Sequence, residues 1–321
     1  MTKVTRPLAT NLGDVVPLQA STASVVTQVS SASVTAQATL VDSQHYLDKR
    51  KVAKSFSDAA AQYDDVAQLQ RDIGESLFAR MQGLSQLDSL AVADARWLDI
   101  GSGTGYFSQR LAQAYPQLNV TGLDIAQGML AFAKEKRPCD NLTWLCGDAE
   151  SLPLASNSVD LAFSSLAIQW CQQPHKLFAE IARVLKPSGV FVFATLGPQT
   201  LHELKAAWKQ VDDKVHVNQF LSWQQLSDAA AKGFEQSANL GQCSLELMAQ
   251  DFPVLHYQKV TQLTHELKTL GAHNVNQGQN TGLTGRKGLK AMMAGYEAFR
   301  DGQGRLPATY EVYLGCVTKA S

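Results

Sequence analysis

The sequence lacks the features of several classes of protein. Its five cysteines are odd in number and never form a C-x-x-C pair, which argues against a disulfide framework and against a zinc site. No apolar run approaches the roughly 20 residues that a membrane-spanning helix needs. The net charge is −1, without a strongly basic block, so nucleic acid is a poor candidate for a partner. We therefore expect a cytoplasmic protein with reduced thiols that binds neither nucleic acid nor membranes.

Motifs for covalent or metal-dependent catalysis are missing as well. The sequence contains no nucleophile-elbow serine, no H-E-x-x-H motif and no paired histidine and cysteine cluster. Its seven histidines are scattered. This pattern favours a reaction in which the protein supplies neither a nucleophile nor a metal.

The composition indicates one α/β domain behind an N-terminal extension. The chain has 321 residues, of which 45% are hydrophobic and 18% charged, enough for a sizeable core. Residues 1–45 are dominated by small and polar types, and we expect this extension to be disordered. Apolar residues at helical spacing predict a helical N-terminal lid over residues 47–82. The domain itself is predicted to span residues 46–321.

Strands and helices alternate from Arg96 onward, which predicts a parallel sheet with right-handed crossovers. The predicted strands cover residues 96–100, 119–124, 142–147, 159–164 and 190–195, with a break at 186–189 before the last. The predicted helices cover residues 106–114, 126–136, 174–185, 223–233, 254–270 and 284–299. Ser222 and Gln225 form the capping box of the fourth helix. Residues 308–318 are predicted to form an edge strand.

A glycine-rich turn follows the first predicted strand. Gly101, Gly103 and Gly105 permit a sharp turn and a close approach of ligand, where open α/β sheets bind nucleotide-like molecules. The spacing is G-x-G-x-G, with Tyr106 where a dinucleotide fingerprint has its third glycine. A dinucleotide-dependent oxidoreductase is therefore disfavoured. With Asp99 ahead of it, the turn resembles motif I of S-adenosylmethionine-dependent methyltransferases.

Acidic residues end the next two strands. Asp124 can accept hydrogen bonds from a ribose diol, or it can cap the following helix. Asp148 can accept from the exocyclic amine of adenine, although an aspartate after a strand also stabilises turns. Asp99 either contacts the ammonium group of the ligand or braces the turn, because a buried carboxylate needs donors. The predicted donor-binding residues are Asp99, Gly101, Gly103, Gly105, Asp124, Ile125, Asp148, Ala149 and Ser164.

Three further residues are predicted to act near the reacting methyl group. Gln169 and Trp170 follow the fourth strand, where they would provide a polar group and an aromatic wall; alternatively, Trp170 only packs the strand–helix junction. Tyr63 lies in the N-terminal helix and would reach the methyl donor or the acceptor if that helix covers the pocket. The alternative for Tyr63 is an ordinary core position.

The chain resembles the malonyl-[acyl-carrier protein] O-methyltransferase family of biotin synthesis over residues 51–317. The resemblance is carried by segments 56–63, 98–105, 147–154, 166–170, 201–204, 271–272 and 306–312. It implies a Rossmann-like class I methyltransferase fold, with a mostly parallel seven-stranded sheet, helices on both faces and helical substrate-side insertions. It also implies S-adenosylmethionine as donor and the free carboxylate of a malonyl thioester, on acyl-carrier protein or coenzyme A, as acceptor. We expect a monomer.

The carrier protein implied by this resemblance is acidic. The densest basic cluster outside the N-terminal helix consists of Arg286, Lys287 and Lys290, and helical spacing puts Arg286 and Lys290 on one face. We predict that this cluster docks the carrier; a solvated helix end is the alternative. In the family an arginine can precede the phenylalanine at position 220. This chain has Gln219, so the resemblance brings no carboxylate-binding role to that position.

Two other functions are compatible with the motifs. One is a related class I methyltransferase that acts on a small carboxylic acid or a quinone precursor. The other is a regulator that binds S-adenosylmethionine without catalysis. The residues after the fourth predicted strand, which include Gln169 and Trp170, and the substrate-side insertion argue against such a regulator.

Overall fold

Five parallel strands form the first part of the central sheet. The computed structural model describes residues 48–270 and 285–321. The parallel strands are β1 (Arg96–Ile100), β2 (Asn119–Asp124), β3 (Leu142–Cys146), β4 (Val159–Ser165) and β5 (Leu185–Leu196). The predicted bounds of the first four agree with the structure to within one residue. Helices α4 (Tyr106–Ala114), α5 (Gln127–Lys136) and α6 (Pro174–Val184) connect them.

Strand β5 is longer than predicted because residues 186–189 do not break it. Leu185 already pairs with Val159, and the register with β4 shifts before Leu161 pairs with Val190. This irregularity accommodates Pro187 and the positive φ of Ser188, +64°. The turn-like sequence therefore marks a bulge inside a strand.

The sheet is completed by two strands from the C-terminal part of the chain. β6 (Cys243–Asp251) and β9 (Val312–Lys319) give the strand order β3-β2-β1-β4-β5-β9-β6, in which β9 is antiparallel to both neighbours. The prediction of an edge strand at 308–318 is wrong. β9 is an interior strand, and residues 312–317 are buried. The actual edge, β6, was not predicted.

A second, two-stranded sheet replaces part of a predicted helix. β7 (Val254–Tyr257) pairs antiparallel with β8 (Leu306–Thr309), so the helix predicted over residues 254–270 begins only at α9 (Val260–Thr269). The pairing joins distant segments, which local periodicity cannot detect. α10 (Arg286–Tyr296) continues as a 3-10 turn to Phe299. Its predicted start at residue 284 and segment 271–272 lie outside the described residues.

Two further helices lie between β5 and β6, α7 (His202–Lys209) and α8 (Trp223–Gln236). The capping box of Ser222 and Gln225 is confirmed. α8 continues three residues beyond the predicted end at Gly233, because this glycine serves packing. A Cβ there would lie 2.4 Å from the carbonyl oxygen of His175 in α6.

The N-terminal region is helical, as predicted for residues 47–82. It comprises α1 (Lys49–Val66) and α2 (Gln68–Gln82), which meet at Ala67, and a short α3 (Leu87–Leu90) follows. α1 packs against α5, where the Ser57 hydroxyl accepts a hydrogen bond from the Gly128 amide at 3.1 Å. Residue 47 and the extension predicted to be disordered, residues 1–45, lie outside the described residues. None of the helices in the described parts combines the length and apolarity needed to cross a membrane.

Candidate active site

Three glycines turn the chain between β1 and α4. Their φ angles are +71° at Gly101, +54° at Gly103 and +79° at Gly105, in the left-handed region that suits glycine. A Cβ would come within 2.1 Å of Ala167 at Gly101 and within 2.4 Å of Trp144 at Gly105. Nothing lies within 4 Å of a Cβ at Gly103. The first and last glycines thus also serve packing, whereas Gly103 borders open space.

The turn forms part of a cavity at the carboxyl ends of the parallel strands, here named the turn cavity. Predicted site residues that line it are Tyr63, Gly101, Gly103, Asp124, Ile125, Asp148, Ala149 and Trp170. Residues that the sequence did not single out complete the wall, and they include Lys49, Phe56, Met129 and Ser165. Of the α1 residues in this wall, Tyr63 was predicted from the sequence, whereas Lys49 and Phe56 were not predicted as site residues.

Asp124 holds the turn and the start of α5 in place. Its Oδ2 accepts a hydrogen bond from the Gly103 amide at 2.8 Å, and its Oδ1 accepts from the Ala126 amide at 2.7 Å. Burial raises the pKa of this carboxyl, while the backbone amides oppose the shift. Each oxygen can accept a further hydrogen bond, so the helix-start role leaves room for a ligand.

Lys49, at the first residue of α1, binds two carboxylates at the rim of the turn cavity. Its Nζ lies 2.6 Å from Oδ2 of Asp148 and 2.7 Å from Oε2 of Glu150. Burial opposes the charge, yet hydrogen bonds to the two carboxylates leave the pKa of Lys49 raised. A lysine on an amphipathic helix ordinarily suggests a solvated face, so no sequence signal marked this residue.

The other end of α1 is fixed in a similar way. Asp64 accepts a hydrogen bond from the Thr104 hydroxyl at 2.6 Å and forms an ion pair with Arg137 at 2.6 Å. Thr104 belongs to the glycine turn and Arg137 follows α5. α1 is therefore attached to the β3 side at its start and to the turn at its end.

An aromatic boundary separates the turn cavity from a second cavity, here named the outer cavity. Phe56 packs edge-on against Trp170 with centroids 5.3 Å apart and lies 6.4 Å from the Tyr63 ring. These three residues and Leu166 line both cavities. Burial, together with the nearby Asp124 and Asp64, raises the pKa of Tyr63. The phenol consequently stays protonated and can only donate a hydrogen bond to an anion.

The outer cavity is lined by residues of α7 and α9, among others, and its wall is mainly apolar. Its lining includes Leu196, Leu201, Leu204, Trp208, Phe220, Leu267, Leu270 and Tyr310. Polar lining residues are Gln70, Gln169, Thr200, His216, Asn218 and Thr264. Within the described ranges, no lysine or arginine contributes to this wall.

Gln169 lies in the wall of the outer cavity, next to Trp170 at the boundary. Its Nε2 donates to the Leu166 carbonyl at 2.7 Å, and its Oε1 accepts from the Thr195 hydroxyl at 3.4 Å. Leu166 has a positive φ of +52°, an unfavourable conformation for a leucine. Gln169 thus fixes a strained segment of the boundary.

A third, smaller cavity adjoins the glycine turn and is here named the polar cavity. Three buried atoms that face it, Oε1 of Gln70 and the hydroxyls of Ser102 and Ser165, have no hydrogen-bond partner in the described parts of the chain. Asp99 and Arg71 also line this cavity. Buried polar groups are nearly always paired in folded proteins, so this concentration indicates a polar ligand.

Three of the predicted donor-binding residues lie outside the wall of the turn cavity. Asp99 faces the polar cavity instead and accepts a hydrogen bond from the Ser108 hydroxyl at 2.6 Å. Gly105 packs against Trp144. The Ser164 hydroxyl is fully buried and donates to the Ile100 carbonyl at 2.8 Å. The neighbouring Ser165 points to the cavities, as alternation along a strand requires.

The predicted docking residues lie at the start of α10. Arg286, Lys287 and Lys290 are exposed, and none of them lines the three cavities. α10 packs against α7, where Gly295 lies next to Gln210.

Comparisons with known proteins agree with this geometry. The pattern of the family described as "Methyltransferase domain" matches residues 98–193. The YcgJ protein from Bacillus subtilis superimposes with a TM-score of 0.53 at 19% identity, covering 77% of this chain and 99% of that protein. The fold of the two proteins is therefore alike.

Sequence relatives are much closer. The malonyl-[acyl-carrier protein] O-methyltransferase of Laribacter hongkongensis is 41% identical over 280 residues, which is 84% of this chain and 89% of that protein. The biotin biosynthesis bifunctional protein BioHC of Cellvibrio japonicus is 50% identical over 267 residues, 83% of this chain. The chain matches only 49% of the latter's length, about half.

Asp99 gives the stability of the free protein an unusual dependence on pH. Burial raises the pKa of Asp99 to about 7, against about 3.9 for an unfolded aspartate. The protonated form therefore stabilises the fold, fully below about pH 4 and progressively less as pH rises through 7. In the wild type, Asp99 should lower the unfolding free energy by about 2–4 kcal/mol between pH 4 and 8. We expect this decrease to be absent in Asp99→Asn. Urea denaturation at several pH values measures it; parallel profiles for both proteins would contradict the assignment.

Proposed function

Because the chain belongs to the malonyl-[acyl-carrier protein] O-methyltransferase family, we propose that it methylates the free carboxylate of a malonyl thioester, with S-adenosylmethionine as donor. The methyl ester produced would disguise the acid as an ordinary acyl primer for the pimeloyl chain of biotin. The main structural support for this proposal is the aromatic boundary, which lies between the turn cavity and the mainly apolar outer cavity. Two reactants on either side of Tyr63 and Trp170 would meet there.

The residues around the turn suit the parts of the donor. Asp124 would accept from the ribose hydroxyls, and the loop of Asp148 and Ala149 would contact adenine. The polar cavity suits the amino-acid end, since Asp99 can pair with an ammonium and Arg71 can pair with a carboxylate. The unpaired atoms of Ser102 and Ser165 would then gain partners. When bound, the donor supplies a methyl group on a positively charged sulfur.

The residues at the boundary suit an anionic acceptor. A carboxylate is ionised at neutral pH and needs no base, which agrees with the protonated state of Tyr63. The phenol would donate a hydrogen bond that orients the carboxylate for in-line attack. Because the described wall of the outer cavity carries no lysine or arginine, the carboxylate would not be neutralised by a competing cation. The negative charge of the carboxylate would instead be attracted to the positively charged sulfur of the donor.

Purified protein with a donor labelled in its methyl group tests this function directly. The acceptors are malonyl-carrier protein, malonyl-coenzyme A and free malonate, each supplied separately. We expect label in a base-labile ester of a malonyl thioester. Label in malonate with none in either thioester would favour a methyltransferase of small acids instead.

The ribose role of Asp124 is tested by Asp124→Ala. Loss of a charged acceptor costs about 1.5–3 kcal/mol, so the affinity for S-adenosylhomocysteine should fall roughly ten- to a hundredfold. Titration calorimetry measures the affinity, with the exposed Asp65→Ala as control. Unchanged affinity in the Asp124 variant would reject the assignment.

The orienting role of Tyr63 is tested by Tyr63→Phe. The hydroxyl bonds to no other residue in the described ranges, so the melting temperature should barely change. Turnover should fall roughly tenfold or more if the phenol donates to the carboxylate. Tyr115→Phe, which alters a tyrosine packed against Trp97, is the control. If Tyr63→Phe has the same turnover as the wild type, or a large loss of stability, Tyr63 has only a structural role.

The docking of an acidic carrier at α10 is tested by charge reversal. This helix starts with two basic residues and no acidic residue in its first turn, a placement that its dipole disfavours and a docked anion would relieve. Arg286→Glu with Lys290→Glu should raise the apparent KM for malonyl-carrier protein severalfold, less so at high salt. The kcat with saturating malonyl-coenzyme A should stay near normal. Exposed Lys232→Glu is the control, and an equal effect on both substrates would place the cluster in the active site.

A further inference from the structure

One buried side chain of the outer cavity is left without a partner. Asn218 is only 7% exposed, and its Oδ1 accepts no hydrogen bond in the described parts of the protein. The atom lies in a wall dominated by leucine and aromatic side chains. Leaving a buried carbonyl oxygen unpaired costs about as much as losing a hydrogen bond outright, so a ligand donor is the natural partner.

Most other polar groups of this wall are already occupied, and the exception, Oε1 of Gln70, belongs to a residue that also lines the polar cavity. The Thr200 hydroxyl donates to the Glu311 carbonyl at 3.2 Å, and the Thr264 hydroxyl donates to the Thr261 carbonyl at 3.2 Å. His216 stacks on Trp208 with centroids 3.9 Å apart and bonds to Asp212 at 2.7 Å. This stack fixes the backbone two residues before Asn218, so the free carbonyl is held in position.

The chemistry of the acceptor decides which of its groups can meet this atom. An ionised malonyl group and its thioester carbonyl offer acceptors only, and a carbonyl oxygen needs a donor. The first donor in a malonyl thioester of pantetheine is the amide N–H of the cysteamine unit, two carbons beyond the sulfur. Free malonate has no such group.

We propose that the Asn218 side-chain carbonyl accepts a hydrogen bond from the cysteamine amide of the pantetheine arm. Asn218 is then a specificity-determining residue, which selects thioesters of pantetheine over small acids. This inference rests on the proposed function. It adds a contact to the arm, on the far side of the boundary from the glycine turn.

The test removes one N–H from the substrate. S-malonyl-pantetheine is compared with an analogue in which an ester oxygen replaces the cysteamine N–H, both as competitors of methyl transfer to malonyl-carrier protein. The wild type should prefer the amide by about tenfold or more in inhibition constant, since a site built around a donor rejects its isostere. In Asn218→Leu this preference should fall to near unity. Asn119→Leu, at an exposed asparagine, should keep it.

Binding of S-adenosylhomocysteine and the melting temperature are measured to check that Asn218→Leu remains folded. An equal loss of both competitors in that variant, a wild type that does not discriminate, or no competition by either thioester would each overturn the proposal. Failure of the proposed function is a separate result, because the wild type would then not methylate malonyl-carrier protein at all.

Discussion

Two buried carboxylates without a cationic partner in the described parts of the chain set the conditions for the whole site. Asp99 is 2% exposed and accepts from the Ser108 hydroxyl, and Asp124 is 9% exposed and accepts from backbone amides that include those of Gly103 and Ala126. Burying an acid in this way is costly, and both pKa values are raised as a result. The amides that bond Asp124 belong to the glycine turn and to the start of α5. Asp124 therefore both shapes the turn and places a carboxylate at the turn cavity, where a cationic ligand would relieve the cost of its burial.

Helix α1 turns this open sheet edge into an enclosed site. Lys49, Phe56 and Tyr63 are spaced by seven residues and so share one helix face, which lines the turn cavity. The ion pairs at its two ends attach that face to the loop after β3 and to the turn. One helix consequently contributes a charge at the rim and an aromatic boundary at the centre. The position of the boundary, in turn, fixes where two reactants can meet.

Local signals sufficed for the turn and the acids, because each lies within a few residues of a strand end. Gly101, Gly103, Asp124 and Asp148, which local signals predicted as donor-binding residues, all line the turn cavity. Choosing Ser165 over Ser164 needed the phase of β4, which sequence alone left open to one residue. Ser102 lies within the glycine motif, but the motif does not show that its hydroxyl is unpaired. Asn218 carries no motif of its own, and only the folded chain brings Gln70 and Asn218 to one cavity. The sequence likewise could not show that β9 is an interior strand and β6 the edge strand, because both positions depend on pairing between distant segments.

The interior position of β9 has a consequence for how the chain is made. β5 has its outer edge covered only by β9, and residues 197–311 intervene between the two strands. At 5–20 residues per second, synthesis of that segment takes roughly ten seconds. Throughout this interval the nascent chain presents β5, an apolar strand with unpaired backbone groups, to the surroundings of the ribosome. An unpaired strand edge can template aggregation, so slow translation of the C-terminal third of the chain would prolong this risk.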